Sequence, residues 1–413
     1  MKKRIGVYVH VPFCSGKCAY CDFYSLAGRD KQMPAYEEAV IRHIREYSPQ
    51  LDGCLIDTVY FGGGTPTALG ADRLIAIFDA LKKYGNVLVD SEVTLEANPE
   101  SCGRQELIRL RKAGFNRISI GMQSGNDRLL ETLGRRHNFA RVEEAVVDAR
   151  EAGFKNVSLD LIYGLPAQSR DDWAGTLAKA AALKPDHMSC YGLKLEKGTP
   201  MYILRDSPFL PDDDTQADMY LYAVEALARY GFRQYEISNF ARRGMESVHN
   251  LKYWRCEEYI GLGPAAHSYM NSRRYSNIAD LDEYIGRMTS GGSVIDQMEI
   301  ITEQEKASEY IMLGMRTTMG IADEEYRRLD PMGMEEIARL LEEFNSHGWA
   351  ARENGRWRLT PEGFLLSNTL IGELLEAQAR QRMLWKRRTD PVDDMQMRMT
   401  GMAQEPVPVF KGM

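Results

Sequence analysis

Three cysteines stand in one short run, Cys14-Ser15-Gly16-Lys17-Cys18-Ala19-Tyr20-Cys21. Thiolates this close together can converge on one soft metal centre, either zinc or an iron–sulfur cluster. A structural zinc site takes four ligands, and no His or cysteine pair follows at a finger-like spacing. On a [4Fe–4S] cubane, three cysteines leave one iron without a protein ligand and open to a small molecule. Clustered reduced thiols are reactive, which argues against three packing residues that merely happen to be neighbours. The other cysteines, Cys54, Cys102, Cys190 and Cys256, are scattered and read as core.

The chain that must position these thiols has 413 residues, enough for one large barrel with an appendage. Its 44% hydrophobic and 27% charged content excludes a disordered chain, a collagen and a coiled-coil rod. Lys and Arg (52) against Asp and Glu (59) leave a net charge of −7, which disfavours non-specific nucleic-acid binding. No apolar run approaches the roughly 20 residues that span a bilayer. The odd cysteine count in a long chain argues against a secreted disulfide framework. Residues 5–13 follow a basic start but are interrupted by His10 and Pro12, so they read as a buried strand rather than a leader peptide. The expected location is the reducing cytoplasm.

Strand patterns at 4–11, 57–61, 92–96, 117–121, 156–162 and 187–193 alternate with helical patterns at about 35–48, 70–84, 104–113, 139–152 and 171–183. Gly85, Gly114 and Gly153 close three of the helices. Such alternation implies crossover units and a parallel sheet, here an α/β fold with an incomplete (β/α)6 TIM-like barrel over 1–235. The active face should lie at the strand C-termini, where Gly62-Gly63-Gly64-Thr65-Pro66, Glu96, Gln123 and Asp160 fall. A loop-rich connector is expected at 236–300. Helical patterns at about 303–317 and 335–346 precede a hairpin turned by Asn354-Gly355 and an apolar helix to about Leu375. Together they suggest a winged-helix-like module over 301–377, followed by a basic frayed helix and a disordered tail over 378–413.

The cysteine spacing, after a first strand and before a helix, resembles the radical S-adenosylmethionine (SAM) superfamily. The resemblance covers about residues 4–370 and implies a [4Fe–4S] cluster on Cys14, Cys18 and Cys21, with SAM on the open iron. Tyr8, Tyr20, the Gly62–Pro66 run (Gly63, Gly64 and Thr65 above all), Glu96, Gln123, Arg135 and Asp160 fall where the oxygen-independent coproporphyrinogen oxidase-like branch contacts SAM. Glycines ending a strand let backbone groups approach a ligand such as the methionine ammonium. Glu96 reads as an acceptor for ribose hydroxyls or an ammonium, or else as a cap of the next helix. Arg135 and Asp160 read as ligand contacts or as structural ion pairs, and Tyr8 as a contact or as core.

Two features point to a subfamily. The oxidases carry a further cysteine where this chain has Phe23, and they have a longer extension before the first strand. This chain instead holds His249-Asn250-Leu251-Lys252-Tyr253-Trp254, which resembles the HNxxYW motif of the HemW-type haem chaperones. That resemblance implies binding of haem and its delivery to haem-requiring client proteins, rather than oxidative decarboxylation of coproporphyrinogen III, the alternative reading. His249 is the expected haem ligand, since neutral imidazole is a common axial ligand. Cys256 is the alternative, and His267, Met395, Met397 and Met399 are weaker candidates. The basic stretch Arg380–Arg388 is compatible with transient contact with an anionic membrane surface. A nucleic-acid partner is not expected, and a homodimer is left open.

Overall fold

The computed structural model describes residues 2–389. Six strands, β1 (Lys3–Val11), β2 (Cys54–Gly63), β3 (Val87–Ala97), β4 (Arg117–Gln123), β5 (Asn156–Tyr163) and β6 (His187–Gly192), lie side by side in chain order and pair in parallel. Helices α1 (Met33–Leu51), α2 (Ala71–Tyr84), α3 (Arg104–Ala113), α4 (Phe139–Glu151) and α5 (Arg170–Ala182) connect them.

The register shows why these sequences fold this way. Val9, Phe61, Leu95, Ile118 and Val157 form one row across five strands, and each is fully buried. Phe61 packs edge-on against Phe78 of α2, so this row faces the helices. One residue earlier on every strand lies the row Tyr8, Tyr60, Thr94, Arg117 and Asn156, and one residue later come Glu96, Ser119, Ser158 and His187. The two-residue period of a strand therefore separates an apolar outer face from a polar inner face. Strands buried on both faces usually read as continuous apolar runs. The departure here marks the barrel interior as a site.

The sheet does not close. Beyond β6 it gains antiparallel Asn239–Ala241 and Arg233–Gln234. Beside β1 it gains Tyr259–Leu262 in parallel, then antiparallel His267–Met270, Arg273–Asn277 and Ile295–Ile300. The incomplete barrel expected from the sequence is present, but the 236–300 stretch is not loop-rich. Short strands and the helices Val248–Trp254 and Leu281–Ser290 fill it. Strands as brief as Asn239–Ala241, or as polar as Arg273–Asn277, leave too little alternation to be read from the sequence.

A second core gathers Ile311, Tyr326, Ile337, Phe344, Trp357 and Leu374, and it includes Tyr220 from the helix Asp213–Arg229. It joins the helices Glu303–Gly314 and Glu335–Ser346 to the hairpin Ala350–Glu353 and Arg356–Leu359, an arrangement consistent with a winged-helix-like module. The last helix does not fray after residue 377 but runs as Ser367–Thr389. Its polar side chains are anchored: Gln378 donates to the Tyr326 hydroxyl at 2.7 Å and Arg382 to Asp330 at 2.9 Å. The tail after 389, with Met395, Met397 and Met399, lies outside the described residues, as do the side chains of Lys386, Arg387 and Arg388.

Leu95 is buried between the sheet and its helices. Leu95→Ala is expected to destabilise the barrel by about 2–5 kcal/mol, read as a lowered thermal midpoint.

Candidate functional site

The polar interior opens at the strand C-termini into a cavity of about 390 Å³. The loop after β1 forms one wall. Phe13–Cys14 pairs with Leu26–Ala27, and Leu26 N–H donates to Pro12 O, so the loop leaves and returns at one place. Between those ends, Ala19 N–H donates to Leu133 O, and Met201 N–H donates to Ala19 O. Tyr20 packs with Leu129, Leu133, Ile162 and Met201 while also lining the cavity.

The glycine run is strapped to this loop. Gly64 and Thr65 N–H donate to Val11 and Phe13 O at 2.8 and 2.7 Å. A Cβ on Gly64 would sit 2.7 Å from Phe13 O and 3.1 Å from Cys14 Sγ, so only glycine allows this approach. A polar chain then links the cysteines across the cavity. Cys14 Sγ lies 3.4 Å from Thr65 Oγ1, and Asn98 Nδ2 donates to Thr65 Oγ1 at 2.9 Å. Arg135 donates to Asn98 Oδ1 at 3.1 Å and to Cys18 Sγ at 3.4 Å. Arg135 is therefore a cavity residue and not a surface ion pair.

Two buried acids face the same space. Glu96 accepts from the Tyr60 hydroxyl at 2.8 Å and from Gly63 N–H at 3.2 Å, so it does not cap the following helix. Burial pushes its carboxyl up to about 7, against the pull of those hydrogen bonds. Asp160 accepts from Ser119 Oγ at 3.0 Å and is also raised by burial.

Cys14, Cys18, Cys21, Tyr20, Gly63, Gly64, Thr65, Glu96, Gln123, Arg135 and Asp160 all line this one cavity. Tyr8 and His249 do not. Tyr8 lies behind Tyr60, stacked on it at 6.1 Å, and packs on His249 as well. His249 is 1% exposed, with Nδ1 2.9 Å from Thr58 Oγ1 and Nε2 2.8 Å from the Tyr253 hydroxyl. Both ring nitrogens are engaged, and burial drives the imidazole down to about 3. The expected haem ligand is thus a hydrogen-bonded residue of an aromatic stack, and only its neighbour Asn250 reaches the cavity. Burial also pushes the Cys256 thiol up to about 12, against thiolate formation. His267 is exposed at the start of its strand.

The donor set fits a cubane better than a single ion. Among the described residues no three His, Cys, Asp or Glu side chains are arranged to hold one metal ion, yet three thiols line one cavity. Cluster thiolates bind separate irons and stand apart, whereas the ligands of one zinc crowd a single point.

The chain matches a family model described as Radical SAM superfamily over residues 8–180, and one described as HemN C-terminal domain over 301–366. It is 35% identical over 382 residues to a protein named heme chaperone HemW from Bacillus subtilis, covering 90% of this chain and 99% of that protein. The chain belongs to the HemW family of radical SAM proteins. A HemW from Lactococcus lactis is 32% identical, over 91% of this chain and 98% of its own length. Among solved structures, Escherichia coli coproporphyrinogen III oxidase, a radical SAM enzyme, superposes with a TM-score of 0.79 at 22% identity, covering 91% of each chain, which establishes the shared fold.

Several cavity residues of this HemW-family chain escaped the sequence reading, among them Tyr60, Arg117, Ser119, Ser189 and Tyr191. Their signal was available: Tyr60, Ser119 and Ser189 occupy alternate strand positions whose neighbours are apolar.

Below pH 4.5 Glu96 is protonated in both the folded and unfolded chain, and its burial carries no ionisation cost. Between 4.5 and about 7 the unfolded chain ionises first, so stability falls as pH rises and levels off above 7. Glu96→Gln removes this term. Cluster-free variant protein is expected to gain over wild type between pH 5 and 8, by on the order of 3 kcal/mol, in thermal melts across that range.

Proposed function

We propose that this chain is a haem chaperone, one that carries a [4Fe–4S] cluster and SAM, binds haem and passes it to haem-requiring proteins. The observation that carries this reading is the likeness to named haem chaperones over 90% of the chain, combined with a three-thiol cavity. The rim residue Phe23, 66% exposed, occupies the place of the oxidases' extra cysteine.

Cys14, Cys18 and Cys21 would hold the cluster, which when bound supplies one-electron reduction of SAM. The chain's own residues do the rest. Arg135 bridges the Cys18 sulfur and Asn98, placing a fixed cation beside the cluster loop. Glu96 and Asp160 offer acceptors to hydroxyl or ammonium groups, with Tyr60 and Ser119 holding them in place. Gly63, Gly64 and Thr65 bring backbone close to the ligand, while Tyr20 and Gln123 close the cavity wall. Cys18→Ser is expected to abolish the cluster, seen as lost iron and lost charge-transfer absorption in anaerobically reconstituted protein.

An anaerobic haem titration followed by the Soret band tests the carrier reading. Saturable stoichiometric binding is expected in wild type. His249→Ala should bind haem with an unshifted Soret maximum, because both imidazole nitrogens are committed to Thr58 and Tyr253. A shifted maximum would mean that the imidazole leaves those partners to ligate the iron. Absence of saturable binding in wild type would overturn the carrier reading and bring coproporphyrinogen turnover to the front.

A further inference from the structure

The large sheet of 12 strands ends in two edges that are finished differently. At one, Arg233–Gln234 is only two residues long, which leaves little for another strand to pair with. At the other, Ile295–Ile300 runs for six residues without proline or lysine. Ile301 N–H donates to Ser272 O, so by antiparallel alternation the backbone N–H and C=O groups of Met298 and Ile300 point away from the sheet. No described strand meets them. The two side chains are 52% and 70% exposed, on the face where the neighbouring strand buries Tyr275 opposite Met298. A long edge with two uncovered apolar side chains is a template for one more strand.

The chain itself carries a segment that fits. The last helix, Ser367–Thr389, runs antiparallel to Glu303–Gly314. Ser308 donates to Gln378 at 2.6 Å, and Arg382 donates to Gln304 O at 3.2 Å, so four residues forward in one match four residues back in the other. Thr389 therefore lies beyond the start of the 303–314 helix, the end at which Ile300 enters it. From Thr389 the six residues to Met395 span up to about 20 Å. Residues 395–400 lie outside the described residues and read Met-Gln-Met-Arg-Met-Thr, a strict two-residue alternation between Pro391 and Gly401. The edge strand carries Asp296 and Glu299 and no cation. Glu299 keeps only a 3.4 Å contact with Arg274, whose nearer partner is Glu309 at 2.7 Å. Arg398 supplies the complementary charge.

We propose that residues 395–400 add to Ile295–Ile300 as an antiparallel strand that caps this edge of the sheet. With Met397 opposite Met298, Met395 lies opposite Ile300 and the methionines share the apolar face. Arg398 then falls on the other face, diagonal to Glu299. A slip of one residue would set Arg398 against Met298 and methionines against Gln297 and Glu299, so the alternation of both segments fixes which face each residue takes. The short connection to Thr389 favours the pairing, because it holds the segment near its edge at high effective concentration.

Hydrogen exchange of the full-length, cluster-reconstituted protein, read residue by residue, tests this against a chain ending at Thr389 and against Met397→Pro. In the full chain the Met298 and Ile300 amides are expected to exchange at least about tenfold more slowly than in the shortened chain. The Ile301 amide, already bonded to Ser272, should be equally protected in both and reports that the edge strand is folded. Met397→Pro removes the central donor and should reproduce the pattern of the shortened chain. Equal exchange of Met298 and Ile300 in the full and shortened chains overturns the proposal. If the shortened chain loses the Ile301 protection, undiminished protection of Met298 and Ile300 in Met397→Pro overturns it instead. Protection that falls on dilution also overturns it, since the added strand then comes from a second copy.

Discussion

The structure depends on the strict two-residue alternation of six parallel strands. Every outward residue of the central rows, such as Val9, Phe61, Leu95, Ile118 and Val157, is sealed beneath helices. Burial of that face is the main stabilising term, since apolar area removed from water contributes about 25 cal/mol per Å². It frees the opposite face to be polar. A one-residue slip in any strand would exchange the two faces, so the hydrophobic row fixes the register that aims Tyr60, Glu96, Arg117 and Asp160 inward.

A polar barrel interior must satisfy its own groups, and this one does so mostly without ion pairs. Glu96 and Asp160 are met by hydroxyls and an amide, and His187 lies between Ser158 and Tyr235. Neutral partners leave carboxyls raised toward neutrality and imidazoles held neutral, an electrostatic poise that direct pairing with Arg would remove. The HNxxYW segment fits the same logic. Its helix is held by Glu92 at its first amides, its histidine is stacked on Tyr60, and its Lys252 is buried between Asp57 and Glu257. The motif thus braces the barrel wall behind the cavity, while Asn250 alone of its side chains reaches the lining.

The C-terminal residues are joined to the barrel by packing. Tyr220, on the helix that follows β6, belongs to their core, and Ile237 N–H donates to Arg316 O at 3.0 Å. The last helix continues past its apolar stretch because Gln378, Gln381 and Arg382 find carbonyl, hydroxyl and carboxylate partners around residues 326–333. Its basic residues look like a solvated tail in the sequence because those partners lie some fifty positions away.

Much of this was legible in the residues themselves. The spacing of Cys14, Cys18 and Cys21 points to shared chemistry, and the fold brings all three to one cavity. The strand-and-helix rhythm specifies an open parallel barrel, because hydrophobic periodicity is a local property of each segment. Glu96 and Asp160 could be nominated from their places on the strands, and Arg135 through the family resemblance. Their hydrogen-bond partners could not, since Tyr60 lies 36 residues from Glu96 and Cys18 lies 117 from Arg135. The same limit applies to His249, whose motif suggests a ligand until Thr58, 191 residues away, is found on its ring nitrogen. Which imidazole is sealed and which guanidinium lines the cavity depends on contacts between distant segments, and those exist only once the chain has folded.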